Sequence, residues 1–529
     1  MNLSKSRYTA YCQCPKNLWL GVYRPEEKDD VDPAAQARFE KGSEVGDLAK
    51  QLFPGTIDVT IHDGAALDLK AMMEKTRQLM ASHHPADPPL VIAEAAFSHE
   101  GCYCAVDLLR SEGDGWAIYE VKSTSTKDDD GRKAKFDKYL PDIAYQTWVL
   151  RQCGVNVTGI NLVCLNGDYV RQGGLDLQQL FAVIDMREAV EGELAKVPTQ
   201  VPMALELLKQ EREPDFDLSE RCNKPYKCAF WGYCTRLHHL PEHSVFDVYG
   251  GSMQSKGDDR FFIDKKLAHY RAGRVSYEDL IDQPLGHIQR LQVERKTYID
   301  RDGIRGFLDR LTYPLYFLDF ETMQDVVPQY DNSRPYQQIT FQYSLHVVKN
   351  PETICDKQGY GYLAPSDGSD PRRKLAEDLI DHIPPGVCTL AYNMSFERGR
   401  IAELAQIFPD LRDRLMDIHD HIVDLIDPFR AGHYYMPAMG GSFSIKKVLP
   451  ALFPDDKGLN YENLEGSVKN GGEAMTIFPQ IKDMSPTEAA AARKSLLEYC
   501  NLDTWAMVKV WEKLKEVDEL KKSVIIGKL

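Results

Sequence analysis

The sequence lacks a long hydrophobic segment. None of its apolar runs approaches the roughly 20 residues that a membrane-spanning helix needs, and residues 1–7 lead into no signal-peptide core. We therefore expect a cytoplasmic protein with no membrane partner. The chain contains 12 cysteines. Because the cytoplasm is reducing, these are better candidates for metal ligation or burial than for disulfide bonds.

The sequence also lacks an excess of basic residues. With 80 acidic and 64 basic side chains, its formal net charge is −16, which argues against a protein that coats nucleic acid through a broadly basic surface. An acidic chain is still compatible with a metal-dependent nuclease, since carboxylates bind the metal and basic residues are needed only locally. The pair Lys446-Lys447 is a candidate for such local charge.

The length and the pattern of apolar residues indicate an α/β protein of several domains. A chain of 529 residues is long enough for two to four domains, each with its own core. Strand and helix patterns alternate over residues 1–240 and again over residues 311–529, while residues 241–310 are rich in loop signals. We predict two α/β domains joined by a connector.

Two acids and a lysine lie near the ends of two strands that we predict to form a hairpin. Asp107 ends the first strand, and Glu120 and Lys122 lie at the end of the second, where both side chains point to one face. Asp107 and Glu120 can share a divalent cation, and Lys122 can steady the attacking water or a phosphate. Gln146, on the helix predicted over residues 139–152, belongs to the same candidate site. The alternative is a chance occurrence, because E-x-K is a common pattern.

Four cysteines lie near the two ends of this first segment. Cys14 is in the predicted opening helix, and Cys222, Cys228 and Cys234 close the segment among aromatic residues. Thiolates at such intervals suit a four-sulfur site. A [4Fe–4S] cluster is favoured over Zn²⁺, which usually takes shorter C-x₂₋₄-C spacings. Unligated buried thiols are the third alternative.

Residues 1–240 resemble the RecB-like PD-(D/E)XK nucleases that carry an iron–sulfur staple. The resemblance rests on Cys14-Pro15, Asp107, Glu120-Val121-Lys122, Gln146 and the three later cysteines. It implies a restriction-endonuclease-like mixed sheet with helices, one or two Mg²⁺ or Mn²⁺ ions, and a [4Fe–4S] cluster. Two positions depart from the family. Its helical histidine is missing, which makes Glu44 the substitute metal ligand, and its Q-x-x-x-Y motif ends in Leu150.

The second α/β segment carries four candidate carboxylates on one predicted strand and two predicted helices. A buried strand delivers Asp319 and Glu321 to one face, and two adjacent carboxylates repel unless a cation or proton lies between them. Glu397 lies in the first turn of a predicted helix. Asp503 follows Tyr499 by four residues on the last helix, so the two share a face. The four acids can hold two divalent cations for phosphodiester hydrolysis, with Tyr499 orienting the water.

This half resembles the DnaQ-like (DEDD) 3′–5′ exonucleases in their tyrosine variant. The three motifs correspond to Asp319-Phe320-Glu321, Asn393-Met394-Ser395-Phe396-Glu397 and Tyr499-Cys500-Asn501-Leu502-Asp503. The resemblance implies an RNase H-like (DnaQ-type) mixed sheet with flanking helices and a two-metal site for Mg²⁺ or Mn²⁺. Glu397 stands where the family usually has Asp. The whole chain resembles an uncharacterised bacterial family that joins an iron–sulfur RecB-like nuclease domain to a DnaQ-like domain.

We therefore expect a metal-dependent nuclease whose partner is nucleic acid, namely DNA with single-stranded 3′ ends. The C-terminal domain would trim single-stranded DNA from 3′ to 5′, and the N-terminal domain would provide a second DNA nuclease site. Two alternatives stay open. The N-terminal domain can be a non-catalytic clamp for nucleic acid or a partner protein, and the C-terminal domain can trim RNA.

Overall fold

The chain folds as a mixed α/β protein, as the sequence predicts. A computed structural model describes residues 2–30, 33–127 and 135–526. It divides the chain into two units, Met1–His239 with Asp325–Gln337 and Leu240–Gln324 with Gln338–Leu529. Within the described ranges, no helix is both long and apolar enough to cross a lipid bilayer.

The first unit is built on a seven-stranded mixed sheet. The strands described in this unit are β1 Leu3–Ser4, β2 Ile57–Asp58, β3 His62–Asp63, β4 Ala66–Leu67, β5 Val91–His99, β6 Cys102–Glu112, β7 Gly115–Ser125, β8 Val157–Leu165 and β9 Phe181–Asp185. The strand order is β2-β5-β6-β7-β8-β9, with β1 beside β6, while β3 and β4 form a separate ribbon. Strands β6 and β7 form the predicted hairpin, with Glu112 opposite Gly115.

Nine helices surround this sheet in the described part of the first unit. They are α1 Lys5–Gln13, α2 Pro15–Tyr23, α3 Pro33–Lys50, α4 Leu69–Ser82, α5 Leu140–Gln152, α6 Leu177–Leu180, α7 Arg187–Leu194, α8 Val197–Leu207 and α9 Trp231–Leu237. Helix α5 buries Ile143, Tyr145 and Leu150 in the same apolar cluster as Ile118 of β7 and Leu162 of β8. This packing brings polar residues of α5 to Glu120 and Lys122 of β7. Both lie within β7, and Asp107 lies within β6, whereas the sequence predicts these residues at the strand ends.

The second unit contains a five-stranded mixed sheet. The strands described in this unit are β10 Tyr298–Ile299, β11 Leu315–Gln324, β12 Gln338–Val348, β13 Tyr360–Leu363, β14 Cys388–Ala391, β15 Ile422–Asp424 and β16 Tyr434–Tyr435. The sheet order is β13-β12-β11-β14-β15, and β10 pairs with β16 apart from it. Strand β11 runs antiparallel to β12 and parallel to β14. The apolar start of β11, residues 315–318, is the strand that the sequence predicts.

The described helices of the second unit are α10 Ile263–Arg271, α11 His287–Val293, α12 Arg301–Leu308, α13 Arg372–His382, α14 Ser395–Ile407, α15 Arg412–Asp420, α16 Asp427–Arg430, α17 Ile445–Leu452, α18 Gly471–Gln480 and α19 Pro486–Ile526. A capping box opens α19. The Glu488 amide donates to Ser485 Oγ at 3.4 Å, and the Ser485 amide donates to Glu488 Oε2 at 3.1 Å.

Two stretches of chain are placed in ways that local sequence patterns do not indicate. Residues 325–337, which connect β11 to β12, belong to the first unit, where Val326 and Val327 join the apolar core. The predicted connector, residues 241–310, is grouped with the second unit. It has a small core of its own that includes Phe261 and Leu280.

Candidate active and metal-binding sites

Four acids of the second unit come together as the sequence predicts. Asp319 and Glu321 lie on β11, Glu397 lies in the first turn of α14, and Asp503 lies on α19. Asp319, Glu321 and Cys500 each offer a ligand atom, and these three atoms lie within 4.8 Å of one another. Glu321, Glu397 and Asp503 are buried, with 6%, 2% and 8% of their surfaces exposed. The fold thus concentrates four carboxyl groups in a site of low dielectric constant.

Two side chains of β12 hold α19 against the sheet. Gln342 Nε2 donates to the Leu496 carbonyl at 2.9 Å, and Ser344 Oγ donates to the Cys500 carbonyl at 2.6 Å. A carbonyl inside a helix normally accepts only from the amide four residues later, so these additional bonds tie the helix backbone to a particular register on β12. This register brings Asp503 close to the acids of β11.

The four carboxyl groups disfavour one another's ionisation. Burial, followed by the charges of Asp503 and Glu321, raises the pKa of Asp319 well above its ordinary value. Burial also raises the pKa of Glu397 to about 8 and that of Asp503 to about 6. Buried like charges hold protons unless a cation replaces them. The site therefore has the electrostatic character of a cation site.

The hydrogen-bond pattern of these acids leaves ligand atoms available. Among the described residues, Glu397 Oε2 and Asp503 Oδ2 are buried without a hydrogen-bond partner. An unpaired buried carboxylate oxygen is costly, and hard divalent cations such as Mg²⁺ prefer oxygen ligands of this type. The donor set consequently fits Mg²⁺ or Mn²⁺.

Three further residues belong to this site. Lys446 lies in the predicted basic pair and Cys500 lies within the third motif, whereas no sequence motif identifies Tyr461. Tyr461 Oη donates to Asp503 Oδ1 at 2.6 Å. The ammonium group of Lys446 lies 5.3 Å from the ring centre of Tyr461 and 5.6 Å from that of Tyr499. Cys500 is buried, and its pKa is raised by burial and then by the neighbouring acids, which keeps the thiol protonated. Tyr499, predicted to orient water, is buried beside Tyr461 at a ring-centre distance of 5.9 Å.

The first unit brings its predicted acids and lysine together in a second cluster. Lys122 Nζ lies 2.6 Å from Glu120 Oε1, and Gln146 Nε2 donates to Glu120 Oε2 at 2.7 Å. Asp107 accepts from the Val121 amide at 2.8 Å. Lys5 contacts both acids, at 3.2 Å from Asp107 Oδ1 and 3.2 Å from Glu120 Oε1. The predicted D…E-x-K arrangement is therefore a single contact network.

The lysines in this cluster change the protonation of its acids. Burial and then the charge of Glu120 raise the pKa of Asp107 to about 7. Burial also opposes the ionisation of Glu120, but Lys122 and Lys5 outweigh it and hold the pKa of Glu120 below its usual range. Burial favours the neutral amine of Lys5, yet Glu120 and Asp107 keep its pKa well above the ordinary value. Glu120 and the lysine ammonium groups are thus charged, whereas Asp107 holds a proton over part of the neutral pH range.

Sequence reasoning missed two members of the first cluster. Asp142 accepts from Lys122 at 2.7 Å and from Gln146 at 3.0 Å. Its spacing of four residues from Gln146 on α5 is a signal that could have identified it. Lys5 carries no such signal. Glu44 lies on α3 and is exposed, so its predicted role as a metal ligand stays a prediction.

The four predicted cluster cysteines lie near one another in the first unit. Cys14 separates α1 from α2, and the Cys228 amide donates to the Cys222 carbonyl at 2.8 Å. Burial raises the pKa of Cys234 to about 12, and the charges of the other three cysteines add to this effect. Gln13 Nε2 donates to the Tyr226 carbonyl at 2.9 Å, which links α1 to the cysteine-rich segment. These four cysteines thus supply thiol groups of the type that iron–sulfur clusters and Zn²⁺ bind.

Comparisons with known proteins match only parts of the chain. Residues 316–444 match the family model described as a domain of unknown function (DUF2779), a range that includes Asp319, Glu321 and Glu397. The uncharacterized protein MG366 of Mycoplasma genitalium is 25% identical over 211 residues, 37% of this chain and 31% of that protein. The uncharacterized protein UU173 of Ureaplasma parvum is 29% identical over 231 residues, 40% of this chain and 32% of that protein. The match thus spans about a third of the length of each relative.

Proposed function

We propose that this protein is a metal-dependent nuclease whose second unit trims single-stranded DNA from 3′ to 5′. The observation that carries the proposal is the pair of unpartnered buried oxygens, Glu397 Oε2 and Asp503 Oδ2, within a cluster of four acids. Asp319, Glu321, Glu397 and Asp503 would hold the cations. When bound, two divalent cations supply an activated water and stabilise the leaving 3′ oxygen.

The residues around the acids have separate tasks in this proposal. Tyr499 lies beside Asp503 on one helix face and would orient the attacking water. Tyr461 fixes Asp503 by occupying Oδ1, and Oδ2 would then be the atom that binds the metal. The Lys446 ammonium group faces the two tyrosine rings and would bind a phosphate of the substrate, because a polyanion needs a counter-charge beside an acidic site.

The sheet of the second unit supports the DnaQ-like assignment. Its order, β13-β12-β11-β14-β15, combines antiparallel and parallel pairs, which is compatible with an RNase H-like mixed sheet with flanking helices. The strand with the first two acids is central, and the other two acids come from flanking helices. DNA is preferred over RNA by analogy with RecB-like iron–sulfur nucleases. RNA trimming is the alternative.

For the first unit we propose a RecB-like PD-(D/E)XK fold with a second DNA nuclease site. Asp107 and Glu120 would bind one or two Mg²⁺ or Mn²⁺ ions, and Lys122 would steady the water or the phosphate. The contact of Lys5 with both acids favours the alternative of a non-catalytic clamp for nucleic acid or a partner protein, since the acids already have cationic partners.

The cysteine cluster is proposed to hold a [4Fe–4S] centre, with Zn²⁺ as the alternative. The proximity of Cys14 to Cys222, Cys228 and Cys234 would let the centre join α1 and α2 to the end of the first unit. Its role in this proposal is structural, because the thiolates contribute no group to the acid clusters.

Incubation of the purified full chain with 5′-labelled single strands tests the proposal. DNA and RNA of one sequence are compared in Mg²⁺, in Mn²⁺ and in EDTA. We expect a ladder of strands shortened from the 3′ end that EDTA abolishes. Asp319→Asn should remove the ladder, and the exposed Asp381→Asn serves as a matched control. A ladder of undiminished intensity in Asp319→Asn would refute the assignment of the second unit.

Asp107→Asn and Lys122→Met examine the first unit in the same assay. Internal cleavage that persists in Asp319→Asn and disappears in Asp107→Asn supports a second nuclease site. DNA binding that survives in every variant without any internal cleavage supports the clamp instead.

A further inference from the structure

The N-terminal acid cluster contains an ammonium group between its two metal-ligand candidates. Lys5 Nζ lies 3.2 Å from Asp107 Oδ1, 3.2 Å from Glu120 Oε1 and 3.4 Å from Glu120 Oε2. A cation that bridges these acids must approach the same oxygens. The Lys5 ammonium group therefore contacts the oxygens that a bridging cation would need.

The remaining oxygen contacts of the two acids are also provided by the protein. Glu120 accepts from Lys122 at 2.6 Å and from Gln146 at 2.7 Å, and Asp107 Oδ2 accepts from the Val121 amide at 2.8 Å. Each of the four oxygens of Asp107 and Glu120 thus has at least one donor. In the acid cluster of the second unit, by contrast, Glu397 Oε2 and Asp503 Oδ2 have no partner among the described residues.

The backbone of Lys5 is held in place by its neighbours. Residues Leu3 and Ser4 form β1, which pairs in parallel with Cys102 and Tyr103 of β6. Ser4 caps α1 by accepting from the Arg7 amide at 3.3 Å, and Tyr145 Oη donates to the Leu3 carbonyl. Strand pairing and helix capping together fix the point from which the Lys5 side chain reaches the acids. The fold itself therefore positions Lys5 beside the two acids.

We propose that Lys5 is the resident counter-ion of the N-terminal site and that a divalent cation binds Asp107 and Glu120 only by displacing its ammonium group. This inference rests on the proposed metal site of the first unit. Lys122 adds a second positive charge and Asp142 a third carboxylate, so removal of Lys5 changes the net charge of the cluster by one unit in favour of a cation. The acid cluster of the second unit should then bind a divalent cation at a lower concentration than the cluster of the first unit.

Equilibrium binding of Mn²⁺, followed by electron paramagnetic resonance of the free ion, tests the inference without any activity readout. The full chain carries Asp319→Asn and Glu397→Gln, so that the site in the second unit no longer contributes. In this background we expect Lys5→Met to bind one Mn²⁺ at least about tenfold more tightly than the chain with Lys5 intact. Lys5→Arg should bind as weakly as the parent, and the exposed Lys70→Met is the matched control.

Each outcome of this titration decides a different point. Equal affinity in Lys5→Met and the parent, or no Mn²⁺ bound by Lys5→Met, overturns the counter-ion role. Loss of the gained site on adding Asp107→Asn identifies the acids as its ligands, and retention overturns the assignment. Lys5→Gln replaces Lys5→Met if circular dichroism shows that the methionine variant is unfolded. Failure of the second unit to bind Mn²⁺ in the unmodified chain would instead refute the proposed function of that unit.

Discussion

Tyr461 donates its hydroxyl group to Asp503 Oδ1 at an oxygen–oxygen distance of 2.6 Å. Tyr461 begins the short 3₁₀ helix Tyr461–Asn463, whereas Asp503 lies on α19. The bond lowers the pKa of Asp503 against the effect of burial, which is the larger influence. Tyr461 therefore favours the ionised carboxylate, whose Oδ2 has no hydrogen-bond partner among the described residues.

Replacement of Tyr461 by phenylalanine should slow 3′ trimming by about tenfold or more. A hydrogen bond to a charged group contributes about 1.5–3 kcal/mol, and about 1.4 kcal/mol corresponds to a factor of ten in rate. Tyr499→Phe should have a larger effect, about a hundredfold, since Tyr499 is proposed to orient the water itself. Single-turnover rates on a labelled DNA strand measure both losses.

Tyr435→Phe provides the matched control for these two variants. Tyr435 is a buried tyrosine of the second unit whose hydroxyl has no hydrogen-bond partner among the described residues, so its loss should leave the rate unchanged. A Tyr461→Phe rate equal to that of the control would show that Asp503 needs no positioning by Tyr461.

Trimming should require a carboxylate at Glu397 and should depend on the length of that side chain. Glu397→Gln keeps the shape but removes the charge, so we expect trimming to fall by about a hundredfold or more and the affinity for Mn²⁺ to fall with it. Glu397→Asp keeps the charge on a shorter side chain and should retain part of both. Calorimetric titration with Mn²⁺ measures the affinity. Full metal binding by Glu397→Gln would exclude Glu397 from the ligand set.

The sequence predicts the acids of the second unit, Tyr499 and the basic pair with Lys446, but not Tyr461 beside Asp503. Asp319 and Glu321 follow from strand periodicity, and Glu397 and Asp503 follow from helix starts, helix faces and motif spacing. Tyr461 lies in a single 3₁₀ turn, and no periodicity of the sequence relates it to Asp503. Its place depends on tertiary packing, which single-sequence patterns do not encode.

In the first unit, too, contacts that depend on tertiary packing cannot be predicted from sequence patterns. The contact of Lys5 with Glu120 joins residues 115 positions apart and depends on the pairing of β1 with β6. Asp142 is different, because its i, i+4 relation to Gln146 on a predicted helix was available in the sequence. The placement of Val326 and Val327 in the core of the first unit could not be predicted from the sequence, because their segment has the pattern of an ordinary loop between two strands.

Lys446 should act on substrate binding and its neighbour Lys447 should not. Both are exposed lysines in the first turn of α17, but only Lys446 lies over the Tyr461 and Tyr499 rings. Lys446→Met should raise KM for single-stranded DNA several-fold with little change in kcat. It should also reduce the slope of binding against salt by about one unit, as expected for one lost phosphate contact. Equal effects of Lys446→Met and Lys447→Met would contradict the proposed contact.

The four cluster cysteines should be required together for cofactor content. Serine at Cys14, Cys222, Cys228 or Cys234 removes one thiolate, and we expect bound iron and visible absorbance to fall by more than half in each case. The exposed Cys153→Ser is the matched control and should keep both. Anaerobic purification followed by iron, sulfide and zinc analysis makes the measurement. Zinc at one atom per chain without sulfide would favour the alternative metal.

The stability of the metal-free protein should fall as the pH rises, because Glu397 is easier to protonate in the folded state than in the unfolded chain. Its pKa is raised by burial from 4.5 to about 8, so between these values the folded form binds more protons than the unfolded form. The resulting stabilisation is fully present below about pH 4 and is lost as the pH rises through about 8. Asp503, raised to about 6, acts in the same direction.

Thermal unfolding in EDTA between about pH 5 and 9 measures this effect. We expect the midpoint of the wild-type chain to decrease by several degrees, and the decrease above about pH 6 to be clearly smaller in Glu397→Gln, which cannot ionise. The comparison with Glu397→Gln is needed because the raised pKa of Asp107, about 7, gives a slope of the same sign in both proteins. Mn²⁺ should raise the wild-type midpoint most at high pH, where the acids are ionised and the cation has no proton to displace. Identical slopes in the two proteins would show that Glu397 holds no extra proton in the folded state, and the electrostatic argument for a cation at this site would then fail.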